Sequence, residues 1–261
     1  MQQNIRMAAI VLLGPVLASA ARLTQPAKGA FESYVTKLEA RLTTQRESTC
    51  IASLPGEGGG GRVDPVNGGS WDIAGGMLHH WRAATFVPGA GPQNMLDLLH
   101  DYDRLSRYYA PDVVYFRSPA TDGRMVIRFR KRVVITIVLD AEFQTESGLA
   151  PDGCGFSFSR STHIWQVDQP GSPQERHRAE GADDGFLWRL NSYWSFKQKD
   201  GGLLIECEAV SLTRDVPPGL GWLLAPIIQT LPRDALEFTM QGARNALTAY
   251  STRRHADARA N

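Results

Sequence analysis

The most constraining feature of this 261-residue chain is its last apolar segment, Asp215 to Tyr250, which ends the globular part with a long helical pattern. Leu236, Met240, Ala243, Leu247 and Tyr250 recur at helical spacing and form one bulky stripe. Ala235, Gly242 and Ala246 make a narrower file of small residues beside it. Such a helix can lie close to a sheet at one edge and stand off at the other, which leaves a cavity. Pro232 suits a first helical turn, with Thr230 as its cap. Ahead of it, Pro217, Pro218 and Pro226 oppose an uninterrupted helix. Gly219, Leu220, Gly221 and Trp222 then read as either a hinged cover or a buried connection.

Before that helix comes a succession of strands, each bounded by Gly, Pro or Asp: 113–118, 124–130, 133–143, 156–167, 186–197 and 203–214. One strand, 77–87, precedes a helical pattern from Pro92 to Tyr109 that breaks near Asp101 to Asp103. The strongest hairpin signal is Lys199-Asp200-Gly201-Gly202. Counting outward from it pairs Phe196 with Ile205, Trp194 with Cys207 and Tyr193 with Glu208. Phe186, Trp188, Leu190, Trp194 and Phe196 then share an aromatic face, while Arg189, Asn191, Tyr193, Glu206 and Glu208 share a mixed one. Polar groups on central strands must meet water or one another, so the mixed face is a solvated surface or the polar end of a cavity.

The remaining segments have distinct characters. Residues 1–20 carry Arg6, an apolar run and Ala18-Ser19-Ala20, the pattern of a cleavable export signal cut near Ala20, and so predict a secreted or periplasmic protein. Within 21–50, Phe31, Tyr34, Val35, Leu38 and Leu42 fall on one face of an amphipathic helix. Residues 51–76, rich in Gly and Pro, read as a flexible linker, 77–251 as the main domain and 252–261 as a disordered tail. The segment 168–184 reads as a mobile loop.

A net charge of +1 sets the chain apart from nucleic-acid binders. Three cysteines without a CxxC spacing argue against a zinc or thioredoxin-type centre. Cys207, opposite Trp194, should be buried and unpaired, and a pairing of Cys50 with Cys154 stays open. No metal or cofactor is expected, and no nucleophile-elbow or zinc-hydrolase motif occurs. Arg124, Arg128, Arg130, Lys131 and Arg132 cluster on the strand face opposite Met125, Ile127 and Phe129, as a wet edge or a transient contact with anionic membrane.

The order of elements, together with DYDRLSRYYAPDVV, GFLWRLNSYWSFKQKDGGLLIECEAVSLTRD and PPGLGWLLAPIIQTLPRDALEFTMQGARNAL, resembles the START-like, or SRPBCC, superfamily. The resemblance covers about Leu78 to Tyr250. It implies an α+β helix-grip fold: a curved antiparallel sheet wrapped around the C-terminal helix, with two short helices after the first strand. It also implies an apolar tunnel that binds a lipid or other apolar small molecule. His80, Trp188, Arg189, Asn191, Tyr193, Trp194, Glu208, Trp222, Leu236 and Met240 are the candidate lining. The rival expectation is a cyclase or hydrolase that uses His80, Tyr193 or Glu208 as acid/base groups, Glu208 with a pKa raised by burial. A purely structural or partner-binding module is the third. The sequence leaves ligand identity and oligomeric state open.

Overall fold

The structure, a computed structural model, describes residues 22–56, 61–118, 123–132, 136–179, 181–215 and the backbone of 221–260, with side chains in that last helix for 230–250. Its elements run α1 (Gln25–Ser48), β1 (Arg62–Ile73), β2 (Gly76–Pro88), α2 (Pro92–His100), α3 (Tyr102–Tyr108), β3 (Val113–Arg117), β4 (Arg124–Arg132), β5 (Thr136–Leu149), β6 (Gly155–Asp168), β7 (Arg176–His177), β8 (Arg189–Lys199), β9 (Gly202–Thr213) and α4 (Gly221–Ala260). The strands form one antiparallel sheet in the order β1-β2-β9-β8-β6-β5-β4-β3, with β7 paired to β6. This is the expected α+β helix-grip architecture, an antiparallel sheet with a long C-terminal helix packed on one face.

The β8–β9 hairpin has the predicted register: Phe196 faces Ile205, Trp194 faces Cys207 and Tyr193 faces Glu208. Asp200 and Gly201 both take positive φ, 48° and 76°, as a two-residue turn matched to strand twist requires. Directly opposed residues project to the same side of a sheet, so this register sorts the neighbouring strands into faces.

One face meets α4. Trp194, Phe196, Ile205, Cys207, Met125, Ile127 and Phe143 pack there with Leu236, Met240, Ala243, Ala246 and Leu247 of the helix and with Met95 and Leu98 of α2. The predicted stripe is thus the buried one. Of the small-residue file, Gly242 and Ala246 are buried while Ala235 is exposed. A Cβ at Gly242 would lie 2.7 Å from the ring of Tyr109, which shows how closely α4 passes the end of α3.

The other face meets α1. Ala27, Phe31, Leu38 and Leu42 of the helix pack on Leu78, Phe158, Trp188, Tyr193, Val210 and Leu212. Thr24 caps α1 by accepting from the Ala27 N–H. At the other end of the helix Cys50 is joined to Cys154, just before β6, by a disulfide that spans 104 residues of sequence. Cys207 is buried and free.

Four expectations need correction. The glycine- and proline-rich segment contains a strand, β1, which pairs with β2 through a register shift between Pro65 and Ser70. Asn67, Gly68 and Gly69 take positive φ in that irregularity, and at Gly69 a Cβ would overlap the ring of Trp81 at 2.4 Å, so the glycine that looks like a linker residue makes room for an indole. The segment 168–184 holds β7 and is fastened by ion pairs from Arg178 to Asp168 and Asp184. The C-terminal helix runs unbroken from Gly221 to Ala260, through Pro226 and Pro232 and through the expected tail. Trp188 leaves the aromatic face: it precedes β8, its backbone N–H bonds to the Leu212 carbonyl, and its indole donates to Asp183 among the α1-facing residues.

Candidate functional site

The faces separate the candidate lining. Trp194, Leu236 and Met240 lie between sheet and α4, in one buried cluster with Phe196, Ile205, Ala243 and Leu247. Trp188 and Tyr193 lie in the cluster beneath α1. Arg189 and Asn191, opposite Leu212 and Val210, share that side, as do His80 and Glu208. The side chain of Trp222 and the residues Gly219 and Leu220 lie outside the described residues. No single cavity therefore joins His80, Arg189, Asn191, Tyr193 and Glu208 to the α4 residues, because alternation along the strands aims the two sets at opposite layers.

Beneath α1 those polar residues satisfy one another. Glu208, 1% exposed, accepts from Arg41 at 2.7 and 2.6 Å, accepts from His80 Nε2 at 2.7 Å and ion-pairs with Arg82 at 3.0 Å. With Nε2 donating, His80 Nδ1 is left to accept from the Tyr34 hydroxyl at 2.7 Å, which in turn accepts from Asn67. Glu206 accepts from Gln45 and from the Ser53 N–H. Glu39 accepts from Arg160 and from the Tyr193 hydroxyl, and Asn191 donates to that same hydroxyl. Burial alone pushes the Glu208 carboxyl up, but His80, Arg41 and Arg82 outweigh it and hold the group down at about 2. The expected raised pKa is thus reversed, and a carboxylate so strongly stabilised is a poor base near neutrality. The neighbouring His79, which contacts Ser70 and Thr213, is kept neutral by desolvation with its pKa lowered to about 4.

The arginine-rich strand β4 is also partly absorbed by structure. Arg128 donates to both oxygens of buried Asp140 at 2.7 Å and pairs with Glu175, and His177 Nε2 lies 2.8 Å from the same aspartate. Lys131 pairs with Asp112. Arg130 and Arg132 are exposed and make no ion pair among the described residues.

An open cleft of about 700 Å³ lies at the α2–α3 junction, against β3 and β4, and is lined by His100 to Asp103 on the helix side and by Tyr115 to Ser118 and Val126 on the strand side. The junction exists because Asp101 ends α2 and caps α3, accepting from the Arg104 N–H. Tyr250 of α4 donates to Asp101 and ties the junction to the helix. His100 shares a hydrogen bond of 3.2 Å with Ser147 of β5. Tyr102 and Phe116 line the cleft and also pack on the α4-facing cluster, so its wall is continuous with the core. In sequence, His100 to Asp103 sit at a helix break and read as a solvated helix end or, with His80, as acid/base groups; His80 instead bonds Tyr34 and Glu208 beneath α1, and no motif marks Tyr115, Phe116 and Val126. Among the described residues no group of three or more metal-ligating side chains occurs, and no helix is long and apolar enough to cross a membrane.

No protein-family model matches the chain, and no curated protein matches its sequence. Solved structures do resemble it. TTHA0849 from Thermus thermophilus aligns at 18% identity and a TM-score of 0.43, over 65% of this chain and 97% of that one. The Zhui aromatase/cyclase from Streptomyces sp. R1128 aligns at 14% and 0.44, over 68% and 95%. A STAR-related lipid transfer protein from Xanthomonas axonopodis aligns at 15% and 0.42, over 70% and 99%. At such identities the likeness is one of fold.

Proposed function

We propose that this protein binds an apolar-bodied small molecule, such as a lipid, outside the cytoplasm. The observation that carries this reading is the cleft of about 700 Å³ whose aromatic wall, Tyr102 and Phe116, is also the margin of the buried core. Clefts of roughly 300–1,000 Å³ with a mainly apolar wall and a few convergent polar groups are the usual form of a small-molecule site. Here the polar groups His100, Asp101, Asp103, Tyr115, Arg117 and Ser118 share the lining with the apolar surface of Tyr102, Phe116 and Val126, which suits a ligand with both an apolar body and a polar end. Catalysis by His80, Tyr193 and Glu208 is disfavoured, because all three are consumed by contacts to α1 on the opposite side of the sheet.

The extracytoplasmic part of the reading is supported by the Cys50–Cys154 disulfide, since such bonds persist in oxidising compartments, and by the export pattern at residues 1–20. Transient contact with an anionic membrane fits the exposed Arg130 and Arg132, at about 1 kcal/mol per basic residue near such a surface. Displacement of a fluorescent fatty-acid probe, read in wild type and in Val126→Trp, tests the site. Saturable binding that weakens at least about tenfold in V126W, with an unchanged unfolding midpoint, supports it. Binding that is absent in wild type, or indifferent to the change, refutes it. Terminal sequencing of the protein recovered from a periplasmic extract should begin near residue 21, and retention of residues 1–20 in the cytosol would refute the location.

A further inference from the structure

The two walls of the cleft differ in charge. The helix wall brings Asp101 and Asp103, and the strand wall brings Arg117. Most of the other polar lining is engaged by the protein itself. His100 shares its hydrogen bond with Ser147, and the Ser118 hydroxyl donates to the Arg124 carbonyl. Asp101 accepts from Tyr250 and from the Arg104 N–H, with the Arg104 guanidinium 3.4 Å away. The Tyr115 hydroxyl donates to Asp140 at 3.3 Å, so what it leaves for the cleft is its ring.

Two charged groups of the lining are not engaged in this way. Asp103 and Arg117 are exposed, and neither makes a hydrogen bond or an ion pair among the described residues. Arg117 lies over the Tyr115 ring, 4.1 Å from its centroid, which restrains the guanidinium while its N–H groups keep no acceptor. The first turn of α3 suits a carboxylate, and an edge strand suits an arginine. Those reasons explain each residue singly. Together, in one concave lining with Tyr102, Phe116 and Val126, they present one unpaired charge of each sign beside apolar surface.

Building on the binding reading above, we infer that the polar end of the ligand is a zwitterion: an ammonium group that meets Asp103, and a carboxylate or phosphate that meets Arg117. Its apolar body lies against Tyr102, Phe116 and Val126. The guanidinium fork can donate two parallel hydrogen bonds to the oxygens of either anion. A singly charged amphiphile would satisfy one wall and bring its charge toward the like charge of the other, which is a basis for discrimination against it.

Titration calorimetry with three amphiphiles of one chain length, each kept below its micelle-forming concentration, tests this. Decyl betaine carries both charges, decanoate the negative one and decyltrimethylammonium the positive one. In wild type the betaine should bind about fivefold more tightly than either of the others. Asp103→Asn should weaken the betaine and the ammonium about threefold and spare decanoate. Arg117→Gln should weaken the betaine and decanoate about threefold and spare the ammonium. Both changes fall at exposed positions, and an unfolding midpoint equal to that of wild type shows that the loss is one of recognition. A betaine bound no more tightly than the singly charged amphiphiles, or one indifferent to both changes, overturns the inference and leaves the binding reading standing. Failure of all three to bind wild type overturns the binding reading, and the inference with it.

Discussion

Arg41 on α1 reaches Glu208 on β9, 167 residues later, and donates from Nη2 to both carboxylate oxygens at 2.7 and 2.6 Å. The helix outside the family resemblance is therefore bonded to the middle strands of the sheet. Removing one member of a buried charge pair leaves the other uncompensated, at about 3–5 kcal/mol. Glu208→Ala should lower stability by that amount, whereas Arg41→Ala should cost less, because Arg82 and His80 still serve the carboxylate. Denaturant unfolding of the two variants measures the order, and equal small losses would show that α1 is not held by this contact.

The same carboxylate gives an acid dependence. Its folded pKa of about 2 lies below the ordinary value of 4.5, so the folded state binds its proton less readily than the unfolded one. Its stabilising contribution is complete above pH 4.5 and is lost as pH falls toward 2. Neutral His79, lowered from 6.5 to about 4, acts in the same direction one window higher: stability rises with pH between 4 and 6.5 and levels off above. A shift of this size corresponds to roughly 3 kcal/mol. Unfolding midpoints measured from pH 7 to pH 3 should thus fall in wild type, with the loss between pH 6.5 and 4 diminished in His79→Gln. A variant curve parallel to wild type through that window would refute the assignment.

How legible this layer was depends on particular residues. The Asp200–Gly201 turn fixed the β8–β9 pairing locally, so Tyr193 and Glu208 could be placed side by side from sequence. Which layer that side faces was not local information, because it depends on the docking of α1, and both α1 and α4 offer an apolar stripe. Strand β1 was hidden because Asn67, Gly68 and Gly69 interrupt its alternation with a bulge whose purpose, room for Trp81, is tertiary.

The disulfide fastens the end of α1 just ahead of β6 and closes a loop of 104 residues. By chain-entropy reasoning, a loop of that length restricts the unfolded ensemble by about 4.7 kcal/mol. Cys50→Ser or Cys154→Ser should therefore lower stability by about 2–5 kcal/mol. The oxidised protein should yield one thiol, Cys207, and that only after unfolding, since burial raises its pKa and shields it. Thiol titration with and without denaturant checks the pairing, and a reactive thiol in the native oxidised protein would refute it.

Gly242 offers a test in which two effects oppose each other. Within a helix, replacing glycine by alanine ordinarily gains about 0.5–1 kcal/mol by reducing the freedom of the unfolded chain. At this position the added methyl would meet Cε1 and Cδ1 of Tyr109 at 2.7 and 2.8 Å and the Tyr108 carbonyl at 3.1 Å. Tyr109 is buried against the α4-facing cluster, and the carbonyl is backbone, so neither can yield freely. Overpacking of this kind costs about 1–3 kcal/mol, and that term should win. Gly242→Ala is expected to destabilise the protein, while the same change at Gly29, where nothing lies within 4 Å of the new Cβ, should stabilise it. Thermal unfolding of the two variants decides the matter: a midpoint raised by G242A would mean that α4 does not pass Tyr109 as closely as the packing places it.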